Sequence, residues 1–387
     1  MKIAHFTTLI TSVSKTNTLR VGGPESSVIN LSKAQTKNHK VAIFNTKKID
    51  NLKIKNIKFF YLKFNLINIF FKNPFLSFLN SFGKPNIIII HEIYNFSIVP
   101  LIFFSRLMNI NIYVCPRGTL SPVALEINRF KKYLYHKIIF KNIVKLTDGF
   151  IALNKGEKFH IKKLFKNYKI YVIPNGINKV YSYLKKNKKL KNRIKKEKIL
   201  VGYLGRYDFY IKGLDILLRE YSLYLSKSIK KSIKLIFVGE HRIKHGYSSK
   251  LIIDNFNKTH KKNSIILSGP FYDKKKYKEL LKFDILIQPS RSEGMPNTVL
   301  EAMSMSVPVA ATKETNILDI LKKSNSGWEI NHNLKNISNF LLKLENINKK
   351  KIFNYGLRGY NYSLKKLDIQ KISDYCFNKN KIRSYKL

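Results

Sequence analysis

Two carboxylates bracket a loop and a helix start in the second half of the chain. Residues 284–288 form a short apolar run typical of a buried strand, 289–296 a loop, and 297–305 a helix. Glu293 lies in the loop and Glu301 lies about one turn into the helix. Because open α/β sheets bind ligands at the carboxyl ends of their strands, this segment predicts a ligand site.

The backbone around this helix start favours an anion. Gly294 permits close approach of a ligand, and Pro296 presets the first helical turn. The amides of Met295, Asn297 and Thr298 can point at a group above the helix end. A nucleotide-sugar site needs a helix end for the diphosphate, one carboxylate for the ribose hydroxyls and another near the sugar, all of which this stretch could supply. The alternative is an acidic helix start that only complements the helix dipole.

A pair of cations follows another predicted strand, 199–205. Arg206 and Lys212 precede a helix whose apolar residues recur at 214, 217, 218 and 221. A cation at the positive end of a helix costs roughly 0.3–1 kcal/mol unless an anion compensates it. The pair is therefore a plausible clamp for a diphosphate leaving group. The spacing matches neither the G-x-G-x-x-G dinucleotide fingerprint nor a P-loop.

The first half of the chain carries weaker candidates. Gly22 and Gly23 precede Pro24 at a predicted helix start, a tight loop whose backbone can lie against a phosphate or sugar, or a strained turn without a ligand. His91 ends a strand that is buried by its composition, and a lone histidine there is usually structural. Arg117, in a Pro-Arg-Gly turn, could bind phosphate or carboxylate, or cap a neighbouring helix.

Strands alternate with helices along the chain, which predicts an α/β fold. At 387 residues the chain suits two domains. Residues 185–198 carry nine Lys or Arg against a single acid, Glu197, and indicate an inter-domain connection. We place the first domain at 1–183, a basic linker at 184–198 and the second domain at 199–360. Residues 361–387 contain a last helix, expected over 364–377, which could pack back on the first domain.

The net charge of +50 raises the question of a polyanionic partner. Lys, Asn, Ile, Phe and Tyr are all enriched, so part of the charge is compositional background. No recognition helix, zinc spacing or stacking motif accompanies the charge, and nucleic-acid binding is not expected. An anionic membrane surface requires only clustered cations beside apolar residues. The aromatic-rich residues 59–82 either lie in such an interface or form two core helices.

Two cysteines are too few for a disulfide framework, which indicates a reducing compartment. The chain shows no signal-peptide layout, and its apolar runs are interrupted before about 18 residues. We therefore expect a cytoplasmic protein that is at most peripheral at the inner face of the cell membrane.

Taken together, these segments resemble the GT-B glycosyltransferases of the large retaining family 4 type, over nearly the whole chain. The segments that carry the resemblance are Gly-Gly-Pro-Glu at 22–25, Pro-Arg-Gly-Thr-Leu at 116–120, Leu-Gly-Arg at 204–206 with Lys-Gly-Leu-Asp at 212–215, and the E-x7-E motif at 293–301. The resemblance implies two Rossmann-like, doubly wound domains that face a central cleft.

The resemblance also implies roles for individual residues. Arg206 and Lys212 would hold the donor diphosphate, Glu301 the ribose hydroxyls, and Glu293 with the backbone of 294–297 the donor sugar. His91 would lie near the sugar and the reacting centre, although related chains often continue with glycine where this chain has Glu92. Gly23 would lie under the phosphates. The family is usually metal-independent, and the absence of an Asp-x-Asp pair agrees with a site that uses no cofactor.

The functional hypothesis is transfer of a hexosyl group from a UDP- or GDP-sugar to an acceptor hydroxyl, with retention at the anomeric carbon. The basic first domain suits a lipid-linked glycan acceptor, as in assembly of bacterial O-antigen, capsule or exopolysaccharide. The alternative is a basic nucleic-acid- or membrane-binding protein with an inactive transferase fold. An epimerase would need the dinucleotide fingerprint that this chain lacks.

Overall fold

The computed structural model describes residues 1–8, 22–46, 54–62, 74–178, 198–241, 243–244, 247–260, 264–378 and 381–387. The chain divides into two compact units, Met1–Asn178 with Leu367–Leu387, and Lys179–Lys366. The description of the second unit begins at residue 198, so the predicted linker 184–198 lies outside the described residues except for Lys198. The predicted boundary at 360 differs from the observed one, because the helix that crosses it continues to Lys366.

The first unit contains, within its described residues, a seven-stranded parallel sheet in the order β3-β2-β1-β4-β5-β6-β7. Its strands are β1 (Lys2–Thr7), β2 (Lys40–Asn45), β3 (Ile57–Tyr61), β4 (Ile87–Ile90), β5 (Asn111–Val114), β6 (Gly149–Ala152) and β7 (Ile170–Val172). The strand order reverses between β1 and β4, the position where open α/β sheets bind ligands. The four isoleucines of β4 are all buried, as expected of β-branched residues in a central strand covered on both faces.

Helices flank this sheet. They are α1 (Gly23–Gln35), α2 (Pro74–Phe82), α3 (Ile98–Leu107), α4 (Pro122–Glu126), α5 (Arg129–Tyr135), a π-helical turn (His136–Phe140), α6 (Lys141–Ile143), a 3₁₀ turn (Val144–Leu146) and α7 (Lys155–Leu164). Phe75, Phe78 and Phe82 of α2 are buried in the core. The described part of residues 59–82 is the end of one strand and one core helix, and 63–73 lie outside the described residues.

The second unit carries a six-stranded sheet in the order β12-β9-β8-β13-β14-β15, again parallel in the described residues. Its strands are β8 (Ile199–Leu204), β9 (Ile233–Val238), β12 (Ile265–Ser268), β13 (Ile285–Gln288), β14 (Val309–Ala311) and β15 (Gly327–Glu329), with a separate hairpin of β10 (Ile243–Lys244) and β11 (Tyr247–Ser248). Its helices are α8 (Leu214–Lys227), α9 (Ser249–Thr259), α10 (Asp273–Leu280), α11 (Asn297–Ser304), a 3₁₀ turn (Lys313–Thr315), α12 (Leu318–Ser324), α13 (Asn336–Glu345) and α14 (Lys349–Lys366). The order reverses between β8 and β13, the strands that precede Arg206 and Glu293.

The end of the chain belongs to the first unit. One predicted helix over 364–377 is instead the end of α14 and a separate α15 (Ile369–Cys376), followed by β16 (Phe377–Asn378) and β17 (Lys381–Ile382). The break occurs because Leu367 O accepts a hydrogen bond from Ile177 N at 2.8 Å, and Ile369 N donates to Ile177 O at 3.0 Å. Asp368 then caps α15. α15 packs on α1, where Gln370 Nε2 donates to Ala34 O at 3.0 Å.

Candidate functional site

Two loops meet where the second sheet reverses its strand order. They follow the adjacent parallel strands β8 and β13. Arg291 N donates to Ile211 O at 2.8 Å, which joins the loops through their backbones. Gly213 has φ +66°, and a Cβ there would lie 1.9 Å from Pro289 O. Glycine is therefore required by both the left-handed backbone and the close approach of the second loop.

The side chain of Arg291 links the same loops. It donates two hydrogen bonds to Asp215, at 2.7 and 2.6 Å, and a third to Tyr210 O at 2.6 Å. The guanidinium also lies 4.5 Å from the centre of the Tyr210 ring. The Asp215 side chain is 44% exposed, so the ion pair contributes little to stability. Its effect is to fix the position of the loops relative to each other.

Lys212 and Glu293 form an ion pair between these loops. Lys212 Nζ lies 2.6 Å from Glu293 Oε1, and the side chains are 17% and 13% exposed. The same carboxylate oxygen accepts from Ser290 Oγ at 2.9 Å and from Gln288 Nε2 at 3.1 Å. Glu293 thus has three donors on one oxygen, and the Lys212 cation is held at the sheet edge.

The backbone of Glu293 is also anchored. Its N–H donates to Glu314 O at 3.0 Å, and Asn316 Nδ2 donates to its carbonyl at 2.7 Å. Asn316 itself adopts φ +58°, a conformation that asparagine tolerates better than most residues. The segment after β14 thus anchors the loop that carries Glu293. No local pattern in the sequence indicates this contact.

The helix start predicted after this loop is present. α11 begins at Asn297 with Pro296 as its N-cap residue, and no side chain makes a capping hydrogen bond there. Met295 and Pro296 are buried, whereas Gly294 and Asn297 are partly exposed. The positive end of the helix dipole therefore lies beside the loop that holds Glu293.

Glu301 lies inside α11 and is buried, at 6% exposure. Its Oε1 lies 2.6 Å from Lys276 Nζ on α10, a partner that the sequence analysis did not identify. Its Oε2 is buried without a hydrogen-bond partner among the described residues. The Glu301 carboxylate therefore lies in a buried tertiary contact and not in bulk solvent.

Arg206 follows β8 after one residue, Gly205, and its side chain is exposed. Its carbonyl accepts a hydrogen bond from the hydroxyl of the fully buried Tyr203 at 2.8 Å. Burial raises the pKa of Tyr203 well above its usual value, which keeps this donor protonated. The backbone of Arg206 is thus fixed while its guanidinium is accessible.

His91 lies at the reversal point of the first sheet, directly after β4, and is 2% exposed. Arg117 Nε donates to His91 Nδ1 at 3.0 Å, and His91 Nε2 lies 2.8 Å from His5 Nδ1. His5 Nε2 lies 2.6 Å from Gln35 Oε1. Because arginine can only donate, His91 must carry its proton on Nε2 and His5 on its own Nε2. We call these four residues the histidine array.

The histidine array holds both imidazoles neutral. Burial, with Arg117 as the next cause, lowers the pKa of His91 well below its usual value. Burial also lowers the pKa of His5 to about 4, against the opposing effect of its hydrogen bond to Gln35. A small cavity lies beside the array, with a volume of about 20 Å³, enough for one water molecule. His91 and Arg117 line it, together with Asn175.

Arg117 is held in its turn by a buried acid. Its φ of +54° is unusual for a residue with a side chain. The Glu157 carboxylate, which is 2% exposed, accepts hydrogen bonds from Gly118 N and from Leu153 N, the latter at 2.7 Å. Arg117 Nη1 also donates to Asn175 Oδ1 at 3.3 Å. Arg117 therefore neither caps a helix nor lies free, but orients His91.

The predicted glycine loop is only partly described. Gly22 is the N-cap residue of α1, with φ −68° and ψ −178°, and Pro24 follows in the first turn. A Cβ on Gly23 would meet no atom within 4 Å, whereas one on Gly22 would meet the Glu25 carboxylate at 2.5 Å. The backbone therefore does not demand glycine at position 23, and residues 9–21 lie outside the described residues.

Sequence reasoning thus found the two glutamates and their loops but missed their partners. His5 could have been suspected, because it interrupts the apolar pattern of β1. Lys276 and Arg291 are two of many basic residues and carried no local signal. Among the described residues, no group of three His, Cys, Asp or Glu side chains is arranged to hold a metal ion. No helix in the described ranges is long and apolar enough to cross a bilayer.

Family models match both halves of the chain. Residues 185–355 match the family described as "Glycosyl transferases group 1", and residues 21–180 match "Glycosyltransferase Family 4". An uncharacterised glycosyltransferase of Methanocaldococcus jannaschii is 28% identical over 239 residues, covering 59% of this chain and 56% of that protein. CapM of Staphylococcus aureus, a capsular polysaccharide biosynthesis glycosyltransferase, is 24% identical over 223 residues, covering 54% and 55%. The chain thus matches about half the length of these two relatives.

A solved structure agrees with the observed fold. The crystal structure of HepE from Anabaena in complex with UDP-glucose superimposes with a TM-score of 0.70 at 14% identity, covering 97% of this chain and 98% of that one. Both units have the parallel sheet with a reversal point that the GT-B architecture requires. The predicted GT-B fold of two Rossmann-like domains is confirmed, and the chain belongs to the group 1, family 4-like glycosyltransferases.

Proposed function

We propose that the protein transfers a hexosyl group from a nucleotide diphosphate sugar to an acceptor hydroxyl, with retention at the anomeric carbon. The observation that carries this proposal is the Lys212–Glu293 ion pair at the reversal point of the second sheet. It places a poorly exposed cation and a poorly exposed carboxylate beside an uncapped helix start. A sugar diphosphate needs this combination of groups.

In the proposed reaction, Lys212 and Arg206 neutralise the charge that develops on the leaving diphosphate. A diphosphate competes with Glu293 for Lys212. When Lys212 moves to the phosphates, Glu293 keeps its bonds from Ser290 and Gln288 and is available to sugar hydroxyls. The backbone at 294–297 adds the helix dipole, which favours the same anion. Glu301 binds the ribose hydroxyls.

His91 is kept as a candidate because it directly follows β4, at the reversal point of the first sheet. Both of its ring nitrogens are engaged inside the histidine array. Proton transfer by His91 would therefore require breaking its bond from Arg117. Deprotonation of the acceptor by the leaving phosphate on the same face of the sugar needs no such rearrangement and is the route we propose.

The donor is proposed to be a UDP- or GDP-sugar, bound without a metal ion. HepE, which shares the fold, binds UDP-glucose. The charges of both site glutamates are balanced by lysines, Lys212 and Lys276. Cationic side chains at the phosphates can take the role that Mg²⁺ takes in metal-dependent transferases. Activity is therefore expected to survive EDTA.

The acceptor is proposed to be a lipid-linked glycan of a bacterial surface polysaccharide. CapM, which resembles this chain, is a glycosyltransferase of capsular polysaccharide biosynthesis, and this supports the same class of product here. The first unit also presents an exposed amphipathic surface on α5 and the following π turn. Its apolar side chains are Phe130, Tyr133, Leu134 and Ile138, exposed by 44–77%.

Charge supports an anionic bilayer as the occupant of this surface. Residues 121–147 contain six Lys or Arg, at 129, 131, 132, 137, 141 and 145, and one acid, Glu126. Aromatic and aliphatic side chains among lysines suit the headgroup and acyl boundary of an anionic membrane. The proposal therefore places the protein in the cytoplasm, peripheral at the inner membrane face. The interfacial segment would be 127–145 and not the core-forming α2.

Donor binding tests the first part of the proposal. A panel of UDP-, GDP- and ADP-sugars is screened for thermal stabilisation, and the selected sugar is used for hydrolysis and transfer assays. Lys212→Met is expected to lower kcat/KM by about 10- to 100-fold, because it removes a charged contact to the leaving group. Lys322→Met is the matched control, since its ion pair with Glu329 is exposed. Absence of stabilisation by every sugar, or wild-type turnover of Lys212→Met, would contradict the proposal.

Vesicle sedimentation tests the membrane surface. Binding to vesicles rich in phosphatidylglycerol should exceed binding to phosphatidylcholine and should weaken with salt. Replacing Phe130 and Ile138 by Ser should reduce binding by about 10-fold or more. The control is Phe159→Ser, an exposed aromatic on α7. Equal loss in the control, or tighter binding to duplex DNA than to anionic vesicles, would favour the rival nucleic-acid or non-specific interpretation.

A further inference from the structure

Lys276 is the lysine that pairs with Glu301, and the proposed function gives it no role beyond balancing charge. It lies on α10, and its Nζ is 2.6 Å from Glu301 Oε1. Its side chain is 22% exposed, whereas that of Glu301 is 8% exposed. The two residues are 25 positions apart, so their pairing is a product of the tertiary fold.

The two oxygens of the Glu301 carboxylate are in different situations. Oε1 accepts the hydrogen bond from Lys276. Oε2 is buried and has no hydrogen-bond donor among the described residues. Buried polar atoms are nearly always paired, and a carboxylate oxygen left without a donor is costly. A ligand that brings a hydroxyl donor would remove that cost.

A buried charge is costly unless an opposite charge pairs with it. The Lys276 ammonium supplies the charge, and its bond to Oε1 restricts rotation of the carboxylate. Tyr277, the next residue, has its ring 5.3 Å from the same ammonium. The arrangement thus fixes the carboxylate before any ligand arrives.

We infer that Lys276 is a positioning residue for nucleotide recognition: it holds one oxygen of Glu301 so that the other is available to a ribose hydroxyl. This inference rests on the proposed function, because it requires a nucleotide donor. It adds a residue that sets selectivity for ribose over deoxyribose. Lys276 acts through Glu301, so its effect should depend on the presence of the ribose hydroxyls.

The test compares ribonucleotides with deoxyribonucleotides by isothermal titration calorimetry. UDP and GDP are each titrated beside their 2′-deoxy and 3′-deoxy analogues. For the wild type, loss of the hydroxyl bound to Glu301 should raise Kd by about 10- to 100-fold. In Lys276→Met the Kd of the ribonucleotide should rise, and the ratio of deoxy to ribo Kd should fall to below about 3.

Two further variants sharpen the comparison. Lys275→Met is the matched control, because Lys275 is exposed on the same helix and should leave both Kd values unchanged. Lys276→Arg keeps the cation and a donor, and should retain most of the discrimination. The fluorescence of Trp328, the single tryptophan, reports whether the second unit remains folded.

The outcomes separate the inference from the proposed function. If the wild type binds neither UDP nor GDP, the proposed function fails. If it binds them, but Lys276→Met weakens ribo and deoxy forms equally, Lys276 acts only as a charge and the inference is wrong. A wild-type ratio near one for both analogues would also overturn it, since Glu301 would then bind no ribose hydroxyl.

Discussion

Gly213 offers the sharpest test of how the candidate donor site is built. The substitution is Gly213→Ala, at the N-cap of α8 and one residue after Lys212. Alanine would have to adopt the left-handed φ of +66° and would place its Cβ 1.9 Å from Pro289 O. Contacts of a real Cβ are essentially never shorter than 3.0 Å. The loop that carries Glu293 must therefore move away by more than 1 Å.

The cost has two parts. The left-handed conformation costs an alanine about 1–2 kcal/mol. Forcing atoms into a well-packed position costs about 1–3 kcal/mol more. The second unit should therefore lose about 2–5 kcal/mol of its free energy of unfolding. Gly213→Asn separates the parts, because asparagine tolerates the left-handed region but still carries a Cβ. The asparagine variant should therefore avoid most of the cost of the left-handed conformation but keep the cost of the clash with Pro289.

The assay uses the position of Trp328 in the second unit. This residue is the only tryptophan of the chain, and it packs against the core of that unit with its ring 4.5 Å from Tyr355. Its fluorescence in urea therefore follows unfolding of the second unit. Titration with the nucleoside diphosphate chosen by the sugar panel reports the site, where displacement of the loop should weaken binding by about tenfold or more.

The result that refutes this reasoning is specific. If Gly213→Ala changes the free energy of unfolding by less than about 0.5 kcal/mol, the close approach of the two loops is not present in solution. If Gly213→Asn is as stable as the wild type, the backbone conformation matters but the contact with Pro289 does not. A destabilised variant with unchanged nucleotide affinity would separate the loop from the binding site.

Three other predictions follow from the structure. Burial lowers the pKa of His5 to about 4 from 6.5. Neutral His5 therefore contributes fully to the stability of the first unit above pH 6.5, and this contribution is lost as the pH falls toward 4. The first unit should thus lose about 2 kcal/mol of its free energy of unfolding at pH 5. Circular dichroism measures this loss, with the Trp328 transition of the second unit as internal reference. Equal stability at pH 5 and 7 would contradict the prediction. Glu157→Gln should destabilise that unit by about 1–3 kcal/mol, because one of the two amides bound to the carboxylate loses its acceptor. An unchanged urea midpoint would argue against this role. Arg291→Lys should change the free energy of unfolding by less than about 1 kcal/mol, since Asp215 is half-exposed. The same variant should reduce nucleotide affinity about tenfold in calorimetry. Unchanged affinity would show that the positions of the two loops do not depend on Arg291.

Much of the architecture followed from local patterns. The apolar runs at 199–205 and 284–288 predicted strands, and β8 and β13 are there. The seven-residue interval between Glu293 and Glu301 placed one in a loop and one in a helix, as observed. Such patterns are reliable because backbone hydrogen bonding and the burial period of a helix or strand act between near neighbours.

Predictions that depended on surroundings were less accurate. Residues 364–377 have a helical pattern, but Leu367 and Ile369 bond to Ile177 and break the helix. The aromatic residues after Phe59 could belong to a membrane surface or to a core, and Phe75 and Phe78 pack in the core. Composition cannot distinguish these cases, because the same side chains suit both environments.

The sequence by itself determined the family, the two parallel-sheet units and the identity of the two acidic residues. Only the tertiary structure decided what those residues touch: Lys212 is 81 positions from Glu293, Lys276 is 25 from Glu301, and His5 is 86 from His91. The physical reason is that hydrogen bonds and ion pairs act over about 3 Å of space, regardless of separation along the chain. A local pattern has no means to choose among 73 basic residues.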